Sequence, residues 1–160
     1  MNRNPILIIV LLFGFVFIAA CKDDNNSINT NTSLNIEGQL IFHSACKKNN
    51  DDFQSNEIIS KVDYQYDAST NSLTLTHQNV RFNCCPHSLN TDIFSLNDTI
   101  FIKEYEVNGN CRCTCLYDLN MLITGVEPQK YTIKITEPNQ IVFDINLKKN
   151  TSGSFNVLIK

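Results

Sequence analysis

From Leu34 to the C-terminus, short apolar–polar alternations are separated by clusters of turn residues. Ser72-Leu-Thr-Leu-Thr-His alternates strictly, which points Leu73 and Leu75 to one face of a half-buried strand. Leu34–Phe42, Ile58–Tyr66, Val80–Phe82, Asp92–Leu96, Thr99–Val107, Leu119–Val126, Tyr131–Ile135, Ile141–Leu147 and Phe155–Ile159 read the same way. Asp67–Asn71, Glu127–Lys130, Pro138-Asn139 and Lys148–Gly153 carry turn chemistry. No segment holds a helical period. Short strands with closely spaced turns predict an all-β protein, an antiparallel sandwich of immunoglobulin-like or fibronectin-like type. Asn108-Gly109 between two β-forming runs predicts a tight type I′ hairpin. In that register Glu106 faces Cys111, Glu104 faces Cys113 and Ile102 faces Cys115.

The N-terminus departs from this pattern. Arg3 precedes an uncharged run from Ile6 to Ala20 that ends in Ile18-Ala19-Ala20-Cys21. The run is short for a membrane span, which takes about 20 residues, and suits a signal peptide. Its end resembles a bacterial lipobox, in which the signal is cut before the cysteine and the cysteine is acylated. The resemblance implies that Cys21 becomes a lipidated N-terminus, anchored stably only by two or more acyl chains. The expected division is a signal peptide over 1–20, a polar tether over 21–35 and a β-sandwich domain over 36–160. Lys22-Asp23-Asp24 directly after Cys21 resembles the surface-export signal of Bacteroidetes lipoproteins. It implies the outer membrane, and its outer face, as the address.

The chain has 160 residues and a net charge of −3. That length fits one domain, and the charge disfavours nucleic acid, whose phosphates attract a Lys/Arg surplus. Of the seven cysteines, six remain once Cys21 is assigned to lipid: Cys46, Cys84, Cys85, Cys111, Cys113 and Cys115. An even number in an exported domain predicts structural disulfides. Cys111, Cys113 and Cys115 alternate in a β-type segment, where same-face neighbours lie about 6.5–7 Å apart along the strand. A disulfide needs Cβ atoms about 3.5–4.5 Å apart. Each of the three therefore seeks a partner among Cys46, Cys84 and Cys85, and the matching stays open.

The alternative is a zinc or copper site drawn from His43, Cys46, Cys84, Cys85, His87, Cys111, Cys113 and Cys115. The spacing lacks a C-x-x-C pair, but the expected closeness of Glu104 and Glu106 to the cysteine stripe would suit a cation. A second alternative is a thiol–disulfide centre at the adjacent Cys84-Cys85 pair. His43 and His77 read as polar surface or turn residues. Tyr105, Tyr117 and Tyr131 read as edges of the core.

Asn79-Val-Arg-Phe-Asn-Cys-Cys-Pro and Cys111-Arg-Cys-Thr-Cys-Leu-Tyr-Asp-Leu together resemble small Bacteroidetes lipoproteins. The resemblance runs from about Thr76 to Ile135, plus the lipobox. It implies address and architecture, and no activity. Hydrolase, P-loop and dinucleotide motifs are missing from the sequence. The expectation is a non-enzymatic surface module without a cofactor, attached to the membrane through lipid and engaging a glycan or protein partner.

Overall fold

The computed structural model describes residues 35–47, 58–136 and 138–159. The expected signal segment, Cys21, most of the expected tether and the expected acidic loop around Asp51-Asp52 lie outside the described residues. Nine strands run in order: β1 (Glu37–His43), β2 (Ile58–Asp67), β3 (Ser72–Asn83), β4 (Ser88–Leu96), β5 (Thr99–Val107), β6 (Thr114–Thr124), β7 (Lys130–Ile135), β8 (Ile141–Asn146) and β9 (Ser152–Ile159). They form a five-stranded sheet ordered β1-β6-β3-β2-β9 and a four-stranded sheet ordered β4-β5-β7-β8. The protein is a cysteine-stapled β-sandwich. All pairs are antiparallel except β5 with β7, which run parallel.

Alternation decides which residues meet between the sheets. Leu73 and Leu75 of β3, Leu119, Met121 and Ile123 of β6, and Ile133 and Ile135 of β7 are fully buried in one shared core. Tyr64 and Phe155 stack within the first sheet, and Phe155 stacks on Phe143 of β8, closing the sandwich beside β9. β1 packs beside β4 on the opposite side.

β3 is one long strand that runs through Val80–Phe82 up to the cysteine pair, as the sequence suggested. A bulge between His77 and Val80 carries Asn79 at φ 60°, so apolar parity resets after it and Phe82 returns to the core. The predicted hairpin at Asn108-Gly109 does not form. Asn108 does take a positive φ of 52°, but β5 pairs with β4 and β7, whereas β6 pairs with β1 and β3 in the other sheet. The reason is burial. β5 buries Ile100, Ile102 and Glu104 between the sheets and β6 buries Leu119, Met121 and Ile123, each strand in its own sheet. Residues 108–113 are therefore a crossing between sheets, and the register placing Glu104 opposite Cys113 is overturned.

Every strand ends at one of two poles. One gathers Asp67–Asn71, Asn97-Asp98, 125–129 and 147–151, the turn pole. The other gathers 44–47, 84–87 and 108–113, the cystine pole. Asn35 enters at the turn pole, against Gly125. That glycine has φ +74°, and a Cβ there would sit 2.5 Å from the Asn35 carbonyl oxygen, so side chain and backbone conformation both call for glycine.

Candidate functional site

The cystine pole is built on the segment 111–115. Cys115 bonds Cys46, Cys113 bonds Cys84 and Cys111 bonds Cys85. The three disulfides fasten one segment to the connections leaving β1 and β3. Cα separations are 5.4, 5.5 and 5.8 Å, within the range a disulfide spans. Cys84 and Cys85 are not bonded to each other. β3 reaches one residue past its end, because Cys84 N–H donates to Cys113 O at 3.1 Å. Pro86 then ends the ladder.

Asn83 organises the backbone around these bonds. Its N–H donates to Glu106 Oε2 at 2.5 Å and its Nδ2 to Cys111 O at 2.6 Å. Its Oδ1 accepts from Cys85 N–H at 3.0 Å, and its carbonyl accepts from the Tyr117 hydroxyl at 3.1 Å. Burial raises the Tyr117 phenol above its ordinary value, and the nearby Glu106 charge adds to this. Gly109 fits here because a Cβ would meet the Asn83 and Glu106 side chains at 2.6 and 2.7 Å.

Beside the disulfides lies a cleft of about 540 Å³, bordered by Arg81, Asn83, Glu104, Glu106, Thr114 and Pro138. Behind it, Glu104 is fully enclosed. Its two oxygens lie 2.9 Å from His77 Nδ1, and His77 Nε2 lies 2.6 Å from Ser60 Oγ. Ser60, His77 and Glu104 are 1%, 2% and 0% exposed. The trio ties β2 and β3 of one sheet to β5 of the other. A carboxylate only accepts, so Nδ1 carries a proton toward Glu104. The Ser60 hydroxyl donates either to His77 Nε2 or to Gln78 O at 3.0 Å.

Serine, histidine and carboxylate in this order form the constellation of acyl-transfer enzymes. Here the serine is sealed between the sheets and does not border the cleft. A substrate carbonyl has no route to its Oγ. The physical role of the trio is a hydrogen-bonded cross-tie, since each buried polar group finds a partner.

Sequence reasoning placed His77 at the surface. It shares parity with Leu73 and Leu75, and Glu104 shares parity with Ile100 and Ile102. Those two parities together signal an inward-facing pair. The expected Glu104 neighbours were cysteines, and the actual neighbour is His77. Tyr131 and Tyr117 are buried, as core-edge residues are, and Tyr105 is half-buried with its hydroxyl on Asp92.

The metal-ligand set does not converge as one group. His43 is exposed, with Nδ1 2.9 Å from Ser44 O and its ring edge-on to Tyr117 at 6.3 Å. His87 is exposed, and its N–H donates to Val107 O. The six sulfurs are in disulfides, so a thiolate site would first require reduction.

A different kind of surface lies on the outer face of the four-stranded sheet. The register aligns Phe94, Phe101, Lys134 and Val142 in one row across β4, β5, β7 and β8. The Phe94 and Phe101 rings stack at 4.9 Å and 6°, and Lys134 Nζ lies 5.7 Å from the Phe101 ring centre. Phe94, Leu96 and Val142 are 54%, 61% and 56% exposed. The other sheet also exposes Ile41, Phe42 and Ile59, at 49%, 63% and 49%, and carries a polar cluster at Asp63. Gln78 and Lys61 bind Asp63, and Ser154 does too. Burial pushes the Asp63 carboxyl up, but these partners outweigh it and hold it below its ordinary value. No family model, curated protein or solved structure matches the chain.

Proposed function

We propose that the chain is a lipid-anchored, non-catalytic binding module of the outer membrane surface, made rigid by its disulfides. The carrying observation is the apolar row Phe94–Phe101–Lys134–Val142, with Leu96 beside it, in which two rings stack across paired strands. Stacked rings on paired strands form a stiff apolar ridge whose side chains lose little freedom on binding. That is the economical way to build a contact surface. Lysines 103 and 134 lie against the rings of Tyr105 and Phe101, adding amphipathic character to the ridge. The enclosed serine speaks against acyl-transfer chemistry, because Ser60 has no contact with the cleft.

The address follows from the lipobox ending in Cys21 and from Lys22-Asp23-Asp24. Lipid at Cys21 would tether the domain through Asn35, that is, from its turn pole. C21A is expected to abolish labelling by radioactive palmitate and to release the protein from membranes. Label retained in C21A would refute the anchor. For the ridge, the full chain in detergent is compared with a Phe94→Ser/Leu96→Ser/Val142→Ser variant on purified polysaccharides and on outer-membrane proteins. A ligand held by the native chain and lost in the variant supports the reading. A ligand held equally by both, or turnover of a panel substrate that S60A abolishes, overturns it.

A further inference from the structure

Two of the three disulfides differ from the third in what surrounds their sulfurs. Cys115 is buried, and Cys46 packs against the core. Cys85, Cys111 and Cys113 face solvent, and Cys84 is half-buried and, like Cys46, packs against the core. The two outer disulfides lie side by side because they use adjacent residues of one segment, 84 and 85, and alternate residues of the other, 111 and 113. As a result the sulfurs of Cys84, Cys111 and Cys113 all lie within 4.8 Å of one another. One sulfur of the second disulfide therefore sits against both sulfurs of the first.

We propose that Cys85–Cys111 and Cys84–Cys113 form a coupled thiol–disulfide exchange centre that oxidises dithiols of exported polypeptides. This goes beyond the binding-module reading, adds a stoichiometric oxidation to a chain read there as non-catalytic, and rests on that reading only for the export of the chain. The substrate's thiolate attacks the exposed Cys85 sulfur, forming a mixed disulfide and expelling Cys111 as a thiolate. The substrate's second thiol, as its thiolate, resolves the mixed disulfide, leaving with its own disulfide and returning Cys85 as a thiol once protonated. One disulfide and two thiols go in, and one disulfide and two thiols come out.

The freed Cys111 thiolate then attacks Cys84 in the neighbouring disulfide. A Cys84–Cys111 bond forms, the Cys84–Cys113 bond breaks, and Cys113 leaves as a thiolate that takes a proton from water. Attack on Cys113 instead would close a three-residue Cys-x-Cys ring, which disfavours that product. The internal step moves the open dithiol from Cys85/Cys111 to Cys85/Cys113 without any net change in oxidation. A solvent-facing thiol at Cys113 then becomes available, while Cys46–Cys115 continues to hold the pole together.

The test uses the full chain in detergent with one molar equivalent of dithiothreitol, timed acid quenching, alkylation and non-reducing peptide mapping. The expected result is a peptide cross-linked through Cys84 and Cys111, with alkylated Cys85 and Cys113 and an intact Cys46–Cys115 bond. Alkylation confined to Cys85 and Cys111, with Cys84–Cys113 intact at every time point, would overturn the coupling. Even labelling of all six cysteines would overturn the division between outer and inner disulfides. A Cys85→Ser/Cys111→Ser variant retains the other two bonds. Its Cys84–Cys113 bond should open on the order of tenfold more slowly, because a neighbouring thiolate is replaced by dilute reagent. Equal opening rates in variant and native chain would also refute it. Oxidation of a reduced dithiol peptide by the native chain, and its loss in that variant, reads the activity itself.

Discussion

The two poles of the sandwich perform the same mechanical task with different chemistry. Each carries two crossings between the sheets: 84–87 and 108–113 at one pole, 125–129 and 147–151 at the other. The crossings are similar in length, so closure entropy does not separate them. Their ties do. The cystine pole is fastened by three covalent bonds to one segment. The turn pole is fastened by hydrogen bonds centred on two phenols. The Tyr66 hydroxyl lies 3.1 Å from Val126 O and 3.2 Å from Asn71 Oδ1. Glu127 N–H donates to the Tyr131 hydroxyl at 3.1 Å. Val126 N–H donates to Asn71 O, and Leu147 N–H to Gln129 O. Reductant thus acts on the cystine pole alone, whereas base acts on two phenols at the turn pole and on Tyr117 at the other.

The comparison is broken most severely at the inner disulfide. A Cys46→Ala/Cys115→Ala variant removes the bond spanning 69 residues. It should lose about 2–5 kcal/mol in denaturant unfolding under oxidising conditions. A loss below that range would mean that the core alone holds β1 against β6.

Next comes Tyr66→Phe at the opposite pole. It leaves Val126 O with one donor fewer in a buried setting, at a cost of about 1–3 kcal/mol. Faster amide exchange should be localised to the 125–129 connection. Exchange that rises equally at Cys84 and Cys85 would show that the poles are not independent.

Base sharpens the distinction. Burial raises the Tyr66 and Tyr131 phenols above 10.0, and for Tyr66 the Glu127 and Asp67 charges add to it. A folded value above the unfolded one contributes stability that is complete below pH 10. It is lost as pH rises through 10.0 and on through the folded values. The urea midpoint should therefore fall above pH 10, and a Tyr66→Phe/Tyr131→Phe variant should show a flatter decline. The residual slope is that of Tyr117 at the cystine pole and of Tyr105, whose hydrogen bond to Asp92 raises it. An unchanged slope would remove the phenols from the account of the turn pole.

The smallest effect is expected at Asn97, in the β4–β5 turn at φ 53°. Asn97→Ala places a Cβ-bearing residue without local hydrogen bonding in the left-handed region, costing about 1 kcal/mol. It should leave the redox behaviour of the cystine pole untouched, which thiol counting under limiting dithiothreitol would check.

Much of the architecture is local and was legible. Alternation in Ser72–His77, Tyr131–Ile135 and Ile141–Leu147 marks strands because side chains point to opposite faces. Asp67–Asn71 marks its turn because Asn tolerates positive φ, seen here at 50° for Asn71. The candidate sites were less legible. Cys46, Cys84 and Cys85 were set against Cys111, Cys113 and Cys115 by spacing, but the particular matching depends on which connections meet at one pole. The misread hairpin at Asn108-Gly109 shows the same limit. Its turn residues are suitable, yet burial of the inner faces of both strands sent β5 and β6 to different sheets.

By itself the sequence determined the strand pattern, the turns and the parity that turned His77 and Glu104 inward, because these follow from bonds and sterics within a few residues. Only the tertiary structure decided that those two side chains meet with Ser60, that Phe94, Phe101, Lys134 and Val142 align in one row, and that six bonded sulfurs gather at one pole. Each of these depends on which distant strands pair, and that is set by burying apolar area over the whole domain at once.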